Sequence, residues 1–383
     1  MGSHFSCLWR LRGTAALALS ALGLQSAMAD GPPRAAVAAQ SSLQRIVAHG
    51  PWPVQGPHDP GNRVAGQAAA VEFGYRMFRE PRLSVNGYVS CVTCHQADRA
   101  FTDGIARAHA LAPLQRNTPA LANLGVQQWY GWDGASDSLW MASLRPMLDA
   151  REFGSDAARI ANVVRIGDGL ACRYQNSFAA RPARHDDELV MVNVAKAIAA
   201  FVATLTTGRT AFDDYRDALL RGDGVAADRY PPAAQRGLRL FVSTGGCATC
   251  HSGPNFSDGR FHPARAGPAD PADSGRARGV SLWKASAYNR LGRFNDDPQR
   301  KVTMPEAIGP QPVTFRTPSL RNVAVTPPYM HDGSVDALRE AAAHAAAHLT
   351  VAQMDDIVVF LHSLTDVQGA KQNFPPVVPS ACK

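Results

Sequence analysis

Apolar residues recur at helical spacing in several parts of this 383-residue chain. Five stretches show the pattern: 65–80, 189–208, 233–243, 334–349 and 350–364. The first ends before Pro81, Gly208 stops the second, and Thr350 is the expected N-cap of the last. No alternating pattern typical of strands appears, and residues 253–312, dense in Gly, Pro and Asp, are predicted to form loop. The pattern therefore predicts an all-α protein.

Two of the predicted helices lead into near-copies of one segment. "CVTCHQADRAFTDG" begins at Cys91 and "CATCHSGPNFSDG" at Cys247. Upstream, "GYRMF" (74–78) matches "GLRLF" (237–241). An internal repeat of this kind indicates two units built on the same plan.

Each copy opens with C-x-x-C-H, the attachment signal of a c-type haem. Two thiols three positions apart add to the vinyl groups of one porphyrin, and the following His binds its iron. A zinc half-site would need a second ligand pair nearby, and a redox C-x-x-C would lie in a βαβ pattern and would not require the His. The sequence therefore predicts two covalent haems. Their ligands are Cys91, Cys94 and His95 in the first motif, and Cys247, Cys250 and His251 in the second.

The N-terminus has the pattern of an export signal. Arg10 and Arg12 precede an apolar run, and "AMA" (27–29) offers a cleavage site. The run is too short for a membrane span, although a retained anchor stays open as an alternative. We expect a soluble periplasmic protein without a membrane span in its mature form. There Cys172 and Cys382 would either pair or remain thiols.

The length and the charge of the chain limit its domain organisation and its partners. Roughly 350 residues remain after the leader, which suits two domains. We predict a signal peptide over 1–29, an N-terminal domain over 30–220 and a C-terminal domain over 221–383, with a linker after Arg221. The net charge of +7 is scattered, so no nucleic-acid partner is expected.

Three further motifs carry a family resemblance. They are "RNTPAL" (116–121), "WDG" (132–134) and "FRTPSLRNVAVTPPYMHDG" (315–333). With the two haem signals, the chain resembles the bacterial diheme cytochrome c peroxidases and their MauG-like branch over nearly all of its mature length. The resemblance implies two cytochrome c-like domains with one haem each. The N-terminal haem would react with peroxide, and the C-terminal haem would pass electrons.

The resemblance also implies roles for single residues. Glu152 falls at the position of the distal acid that shuttles protons, and Pro146 would keep the sixth position of the first iron open. Trp132 falls where the family has a Trp between the haems. For each, the alternative is an ordinary surface or core residue.

A calcium ion between the domains is implied as well. Its ligands would be Asn117 and the backbone carbonyls of Thr326 and Pro328, and such oxygens suit a hard cation. The alternative for Asn117 is a turn residue that caps its own backbone.

The chain departs from the family at several positions. His109 lies two residues short of the His that blocks the first iron in some relatives, and it is expected to face solvent. Ala142 replaces a common distal Gln, and Gly245 stands where MauG has a second Trp between the haems.

The sixth ligand of the second haem is the largest departure. Ala345 occupies the position where relatives have Met or Tyr, and Ala cannot bind iron. We rank His344 first and His348 second, ahead of Met330 or Met354. A His pair at i and i+4 is also able to hold another metal.

Three functions follow. The first is a periplasmic peroxidase that takes electrons from a small cytochrome c or cupredoxin. The second is a MauG-like enzyme that uses peroxide-derived high-valent haems to oxidise a Trp or Tyr of a partner protein. The third is a non-enzymatic diheme electron carrier, in which Glu152 beside an open haem would have no use.

Overall fold

The protein is mostly helical, with little sheet. The computed structural model describes residues 42–54, 59–263, 273–299, 304–305, 312–369, 371–372, 374 and 382. The predicted signal peptide, 1–29, lies outside the described residues.

The helices run in chain order as follows: α1 (described over 42–47), α2 (Ala68–Phe78), α3 (Cys91–Cys94), α4 (Leu139–Leu148), α5 (Ala157–Ile166), α6 (Leu170–Phe178), α7 (Asp187–Val202), α8 (Ala211–Arg221), α9 (Gly224–Ala227), α10 (Pro232–Phe241), α11 (Arg276–Ala285), α12 (Leu338–Ala345) and α13 (Val351–His362). Two three-residue strands, β1 (Phe261–Pro263) and β2 (Thr314–Arg316), form an antiparallel pair with Phe261 opposite Arg316.

All five predicted helices are present, with shifted ends. Thr350 caps α13 as predicted. Its side chain accepts a hydrogen bond from the Gln353 backbone amide, and the Gln353 side chain accepts one from the Thr350 backbone amide. The alanine-rich helix is shorter than predicted and ends at Ala345, since Ala346 leaves the helical conformation.

The prediction of loop over residues 253–312 is wrong in part, because α11 and β1 lie there. Helix α11 has no strong apolar face and contains Gly279. Tertiary contacts hold it: Trp283 is buried, and a side chain at Gly279 would lie 2.0 Å from the Asp133 carbonyl oxygen. Such contacts are invisible in local sequence.

The two repeated segments cross a partner helix in the same way. Helix α2 packs on α7 at Gly74, where a Cβ atom would lie 1.9 Å from the Ala197 carbonyl oxygen. Helix α10 packs on α13 at Gly237, where a Cβ atom would lie 2.0 Å from the Asp356 carbonyl oxygen. Only glycine allows so close an approach of two backbones, which explains the Gly shared by "GYRMF" and "GLRLF".

Each crossing is surrounded by its own apolar core. The first core includes Phe73, Phe78, Trp140, Tyr174 and Phe201. The second includes Phe212, Phe241, Phe256, Phe360 and Leu364. Each core also takes one residue from a distant part of the chain. Ile46, from the N-terminal part, belongs to the second core, and Phe374, from the C-terminal part, packs on the first.

A disulfide joins Cys172 of α6 to Cys382, which resolves the alternatives left open by the sequence. Arg173 donates a hydrogen bond to the Cys382 carbonyl oxygen at 2.9 Å, so the bond ties the C-terminal tail to the first core. Among the described residues, no helix combines the length and apolar character required to cross a membrane.

Candidate active site

The first C-x-x-C-H motif lies on a short, well-capped helix. Helix α3 begins after Ser90, whose amide donates to the Thr93 hydroxyl at 3.0 Å in a capping box. One helical turn therefore carries both Cys91 and Cys94, and His95 follows where the helix ends.

Both motif histidines are oriented by the same hydrogen bond. His95 Nδ1 lies 3.0 Å from the Phe101 carbonyl oxygen, and His251 Nδ1 lies 3.0 Å from that of Phe256. A carbonyl oxygen only accepts, so Nδ1 carries the proton and Nε2 keeps its lone pair for a metal. Burial lowers the pKa of both imidazoles, which keeps them neutral.

A cavity of about 630 Å³ opens against the second motif. Its walls include the apolar side chains of Phe241, Leu320, Ile357 and Leu361. Its size falls within the range of roughly 300–1,000 Å³ of ligand pockets. Two cysteines and a neutral imidazole in an apolar slot fit the chemistry of a c-type haem.

Several candidates for the sixth position of the second site line this cavity. His344, His348 and Met330 all contribute to its wall, as does Ala345, which has no group able to bind iron. His348 Nε2 donates to the Thr244 carbonyl oxygen at 2.9 Å, so that nitrogen is already engaged. By contrast, Met354 is buried in the second core.

Glu152 lies beside the first motif in a poorly solvated place. Burial raises its pKa from 4.5 to about 7, and the nearby charge of Asp149 adds to the rise. The charge of Glu152 in turn adds to the rise in the pKa of both the Cys91 and Cys94 thiols, although burial is the larger cause. The structure thus brings the predicted acid close to the predicted haem cysteines.

Asp149 is an ordinary carboxylate by comparison. Its hydrogen bond from Arg151, with 2.8 Å between Nη2 and Oδ2, lowers its pKa. Two carboxyl groups three residues apart therefore have pKa values that are shifted in opposite directions.

Pro146 fixes the turn that carries Glu152. It lies inside α4, and its carbonyl oxygen accepts a hydrogen bond from the Phe153 amide at 3.2 Å. The Glu152 amide donates to the Asp149 carbonyl oxygen at 3.0 Å. His109 is exposed, as expected.

The cavity at the second motif is also lined by Trp132 and by the predicted calcium ligands Asn117, Thr326 and Pro328. Trp132 Nε1 donates to the Asn117 carbonyl oxygen at 2.9 Å, and Asn117 Nδ2 donates to the Ile105 carbonyl oxygen at 3.1 Å. In the described part of the chain, no three His, Cys, Asp or Glu side chains converge as a metal site.

The sequence did not predict two ion pairs, one with an arginine in the wall of the cavity at the second motif and one with the arginine that precedes Asn117. Arg321, in the cavity wall, donates to both oxygens of Asp213 at 2.9 and 3.0 Å, with both side chains buried. Arg116 donates to both oxygens of Asp273, at 2.5 and 2.6 Å. The two arginines belong to the RNTPAL and FRTPSLRN motifs, but their acidic partners are distant in sequence.

Known proteins resemble the chain in sequence. A model of the di-haem cytochrome c peroxidase family matches residues 68–221. The methylamine utilization protein MauG of Methylorubrum extorquens is 32% identical over 309 residues, which cover 80% of this chain and 76% of that protein. The cytochrome c551 peroxidase of Pseudomonas aeruginosa is 29% identical over 324 residues, which cover 81% of this chain and 82% of that protein.

Solved structures share the fold. The diheme peroxidase BthA of Burkholderia thailandensis superposes with a TM-score of 0.61 at 23% identity, covering 80% of this chain and 88% of that chain. A MauG-like protein associated with microbial copper homeostasis gives a TM-score of 0.59 at 24% identity, covering 83% of this chain and 96% of that chain. With its duplicated C-x-x-C-H sites, this chain belongs to the family of di-haem cytochrome c peroxidases and MauG-like oxidoreductases.

Proposed function

We propose that the protein is a periplasmic diheme peroxidase that reduces H₂O₂ at an N-terminal haem. Cys91, Cys94 and His95 would hold that haem, and a second haem on the Cys247 motif would relay electrons from a small cytochrome c or cupredoxin. A haem supplies an iron that binds peroxide and changes oxidation state. The placement of Glu152 beside the first motif, with a pKa of about 7, carries the proposal.

Glu152 supplies the proton transfer. With a pKa of about 7, its carboxyl is close to half ionised at neutral pH, so it accepts a proton from peroxide and returns it to the leaving oxygen. Pro146 holds the turn through its carbonyl and has no side chain able to bind iron. A carboxyl of this pKa beside a haem that keeps one coordination position free would serve catalysis, whereas a simple electron carrier would have no need of such a carboxyl.

The second site would pass electrons to the first. We propose His344 as the distal ligand, because Ala345 cannot bind and His348 Nε2 is engaged with Thr244. Trp132 lines the same cavity and offers an indole to shorten the path between the two sites.

Calcium would bind through Asn117 Oδ1 and the carbonyl oxygens of Thr326 and Pro328, which line that cavity too. Its charge would hold the RNTPAL segment against the segment that follows FRTPSLRN.

The paired organisation is part of the proposal. Two domains, 30–220 and 221–383, would each carry one covalent haem. Support comes from the duplicated glycine crossings at Gly74 and Gly237 and from the duplicated His–carbonyl bonds.

Export to the periplasm is supported by two features. The N-terminal pattern is that of a signal peptide. The Cys172–Cys382 disulfide persists in an oxidising compartment.

A MauG-like activity is the second candidate. The absence of a Met at position 345 favours it, because a His ligand lowers the haem potential and stabilises a more oxidised iron. Gly245 weighs against a close MauG copy, since the Trp of MauG is missing there. In this case the oxidising equivalents would pass to a Trp or Tyr of a bound partner protein.

The test uses protein matured in a host that attaches c-type haem. We expect two haem equivalents per chain by the pyridine haemochrome assay, and peroxide-dependent oxidation of a reduced small cytochrome c or cupredoxin. Glu152→Gln should slow turnover by roughly 10²–10⁴-fold, and Asp149→Asn, three residues away, should keep the wild-type rate. Peroxide that is consumed without oxidation of either donor would favour the MauG-like alternative. Two haems inert to peroxide would leave only the electron carrier.

A further inference from the structure

The carbonyl that orients His95 belongs to a residue in an unfavourable backbone conformation. Phe101 has φ = 61°, in the left-handed region that bulky residues rarely occupy. Phe256, its counterpart at the second site, has φ = 50°. Residues in this region persist when their surroundings hold them there, so the packing of each ring bears on the position of the carbonyl.

The second site holds its phenylalanine with four rings. The Phe256 ring lies 5.1 Å from Phe212, 6.0 Å from Phe241, 6.1 Å from Phe360 and 4.8 Å from His49, between ring centroids. Three of these rings come from helices of the second core, so Phe256 is fixed mainly by its own half of the fold.

The first site differs. Within the described part of the chain, the ring contact of Phe101 is with Phe374, at 5.7 Å between centroids. Phe374 then meets Phe78 at 6.3 Å and Phe201 at 6.0 Å, the counterparts of Phe241 and Phe360. Phe374 therefore links Phe101 to aromatic rings of the first core, whereas Phe256 contacts the equivalent rings of the second core directly.

Phe374 belongs to the C-terminal tail, which is fastened on both sides of it. Gln372, two residues before it, donates to the Asp366 carboxylate at 3.1 Å and to the Gly369 carbonyl oxygen at 2.6 Å. Cys382, eight residues after it, is bonded to Cys172 of α6. The tail is therefore anchored on both sides of Phe374.

We propose that Phe374 is a positioning residue for the peroxidatic haem: it holds Phe101 so that the Phe101 carbonyl accepts the His95 Nδ1 proton. The disulfide contributes by keeping the tail in place. This inference rests on the proposed assignment of a haem to the first motif. It adds a determinant of the proximal ligand that lies some 280 residues away in sequence, on the last segment of the chain.

The consequence is a specific change at one haem. The hydrogen bond from Nδ1 makes the imidazole a stronger electron donor at Nε2. If Phe374 is lost, Phe101 relaxes, the bond weakens and the donor becomes poorer. The iron–histidine bond at the first site should weaken and its reduction potential should rise, while the second site stays unchanged.

The experiment compares Phe374→Ala, Phe374→Leu and Phe374→Tyr in the matured diheme protein. Low-frequency resonance Raman spectroscopy of the ferrous protein reports the iron–histidine stretch, and potentiometry reports both midpoint potentials. We expect Phe374→Ala to lower the stretching frequency and raise the potential of the first haem alone. Phe374→Tyr, which keeps the ring, should leave the stretching frequency and the potential of the first haem at their wild-type values. Phe374→Leu keeps apolar volume without the ring, so its stretching frequency and potential should lie between those of the Ala and Tyr variants. It also provides the test if Phe374→Ala does not fold.

The matched control is Phe294→Ala. Phe294 is also half-buried and stacks on one ring, Tyr288, at 5.8 Å between centroids. It should lower stability without moving either haem signature. The Cys172→Ser/Cys382→Ser pair should shift the first haem in the same direction as Phe374→Ala, by a smaller amount.

The outcomes separate the two proposals. If the haemochrome assay finds fewer than two haem equivalents per chain, the proposed function fails. If both haems are present and Phe374→Ala and Phe374→Leu leave the first stretch and potential unchanged, the function stands and the positioning role is refuted. Equal shifts of both haems would also refute it, because they would indicate a general loss of packing.

Discussion

Glu152 should destabilise the folded protein at the pH where it works. Its pKa in the fold is about 7, against 4.5 for an ordinary glutamate, because burial penalises the charged form. Between pH 4.5 and about pH 7, Glu152 therefore keeps its proton in the folded protein but has released it in the unfolded chain. Stability from this group is therefore complete below pH 4.5 and is lost as pH rises through 7.

The size of the effect follows from the shift. One pKa unit is about 1.4 kcal/mol, so a rise from 4.5 to about 7 corresponds to roughly 3 kcal/mol. Glu152 keeps partial exposure, and solvent screening reduces the expected cost to about 2–3 kcal/mol. Glu152→Gln removes the charge and keeps the shape. We expect the variant to match the wild type at pH 4 and to exceed its free energy of unfolding by about 2–3 kcal/mol at pH 8.

The assay is urea unfolding at pH 4, 6 and 8, paired with the rate of reaction with peroxide. The wild-type rate should rise with pH around 7, and Glu152→Gln should be slower by roughly 10²–10⁴-fold with no inflection there. Glu80→Gln is the control of opposite sign. Burial alone would raise the pKa of Glu80, but the hydrogen bonds from Arg82 outweigh it and lower the pKa, so this variant should lose a little stability at pH 8. A Glu152→Gln protein no more stable than wild type at pH 8, or one that reacts with peroxide at the wild-type rate, would refute this reasoning.

Three other predictions follow from the packing and the sites. Asp213→Asn removes the negative charge that pairs with the buried guanidinium of Arg321, whose Nη2 lies 2.9 Å from Asp213 Oδ1. The variant should lower the free energy of unfolding by about 3–5 kcal/mol in urea titrations. Gly237→Ala places a Cβ atom 2.0 Å from a carbonyl oxygen of α13 and should cost at least about 3 kcal/mol, whereas Gly224→Ala, with no atom within 4 Å, should unfold like wild type. Calcium chelation should lower the melting temperature of wild type but not of Asn117→Ala; an equal drop in both would place the ion elsewhere.

The repeat is what made the fold predictable. The copied C-x-x-C-H segments and the "GYRMF" and "GLRLF" stretches predicted helices α2 and α10, because the determinants of these helices are local. The features that escaped prediction depend on distant partners. Helix α11 is held by buried contacts of Trp283, and the Arg321–Asp213 pair joins residues 108 positions apart.

The same distinction applies within the site. The position of Glu152 relative to Trp132 predicted an acid, but only the structure shows the burial that moves its pKa. The link between Phe101 and Phe374 has no sequence signal, because the tail reaches the first core only once the chain has folded. The shared Phe of "RAFTDG" and "NFSDG" was a usable hint that this residue matters.

We propose that the two covalent haems differ in coordination and that only the first is open to an oxidant. Electron paramagnetic resonance of the ferric protein, before and after one equivalent of H₂O₂, measures the spin state of both irons. We expect one high-spin and one low-spin ferric signal, with the high-spin signal lost on addition of peroxide in wild type and retained in Glu152→Gln. Two low-spin signals that peroxide leaves unchanged would contradict it.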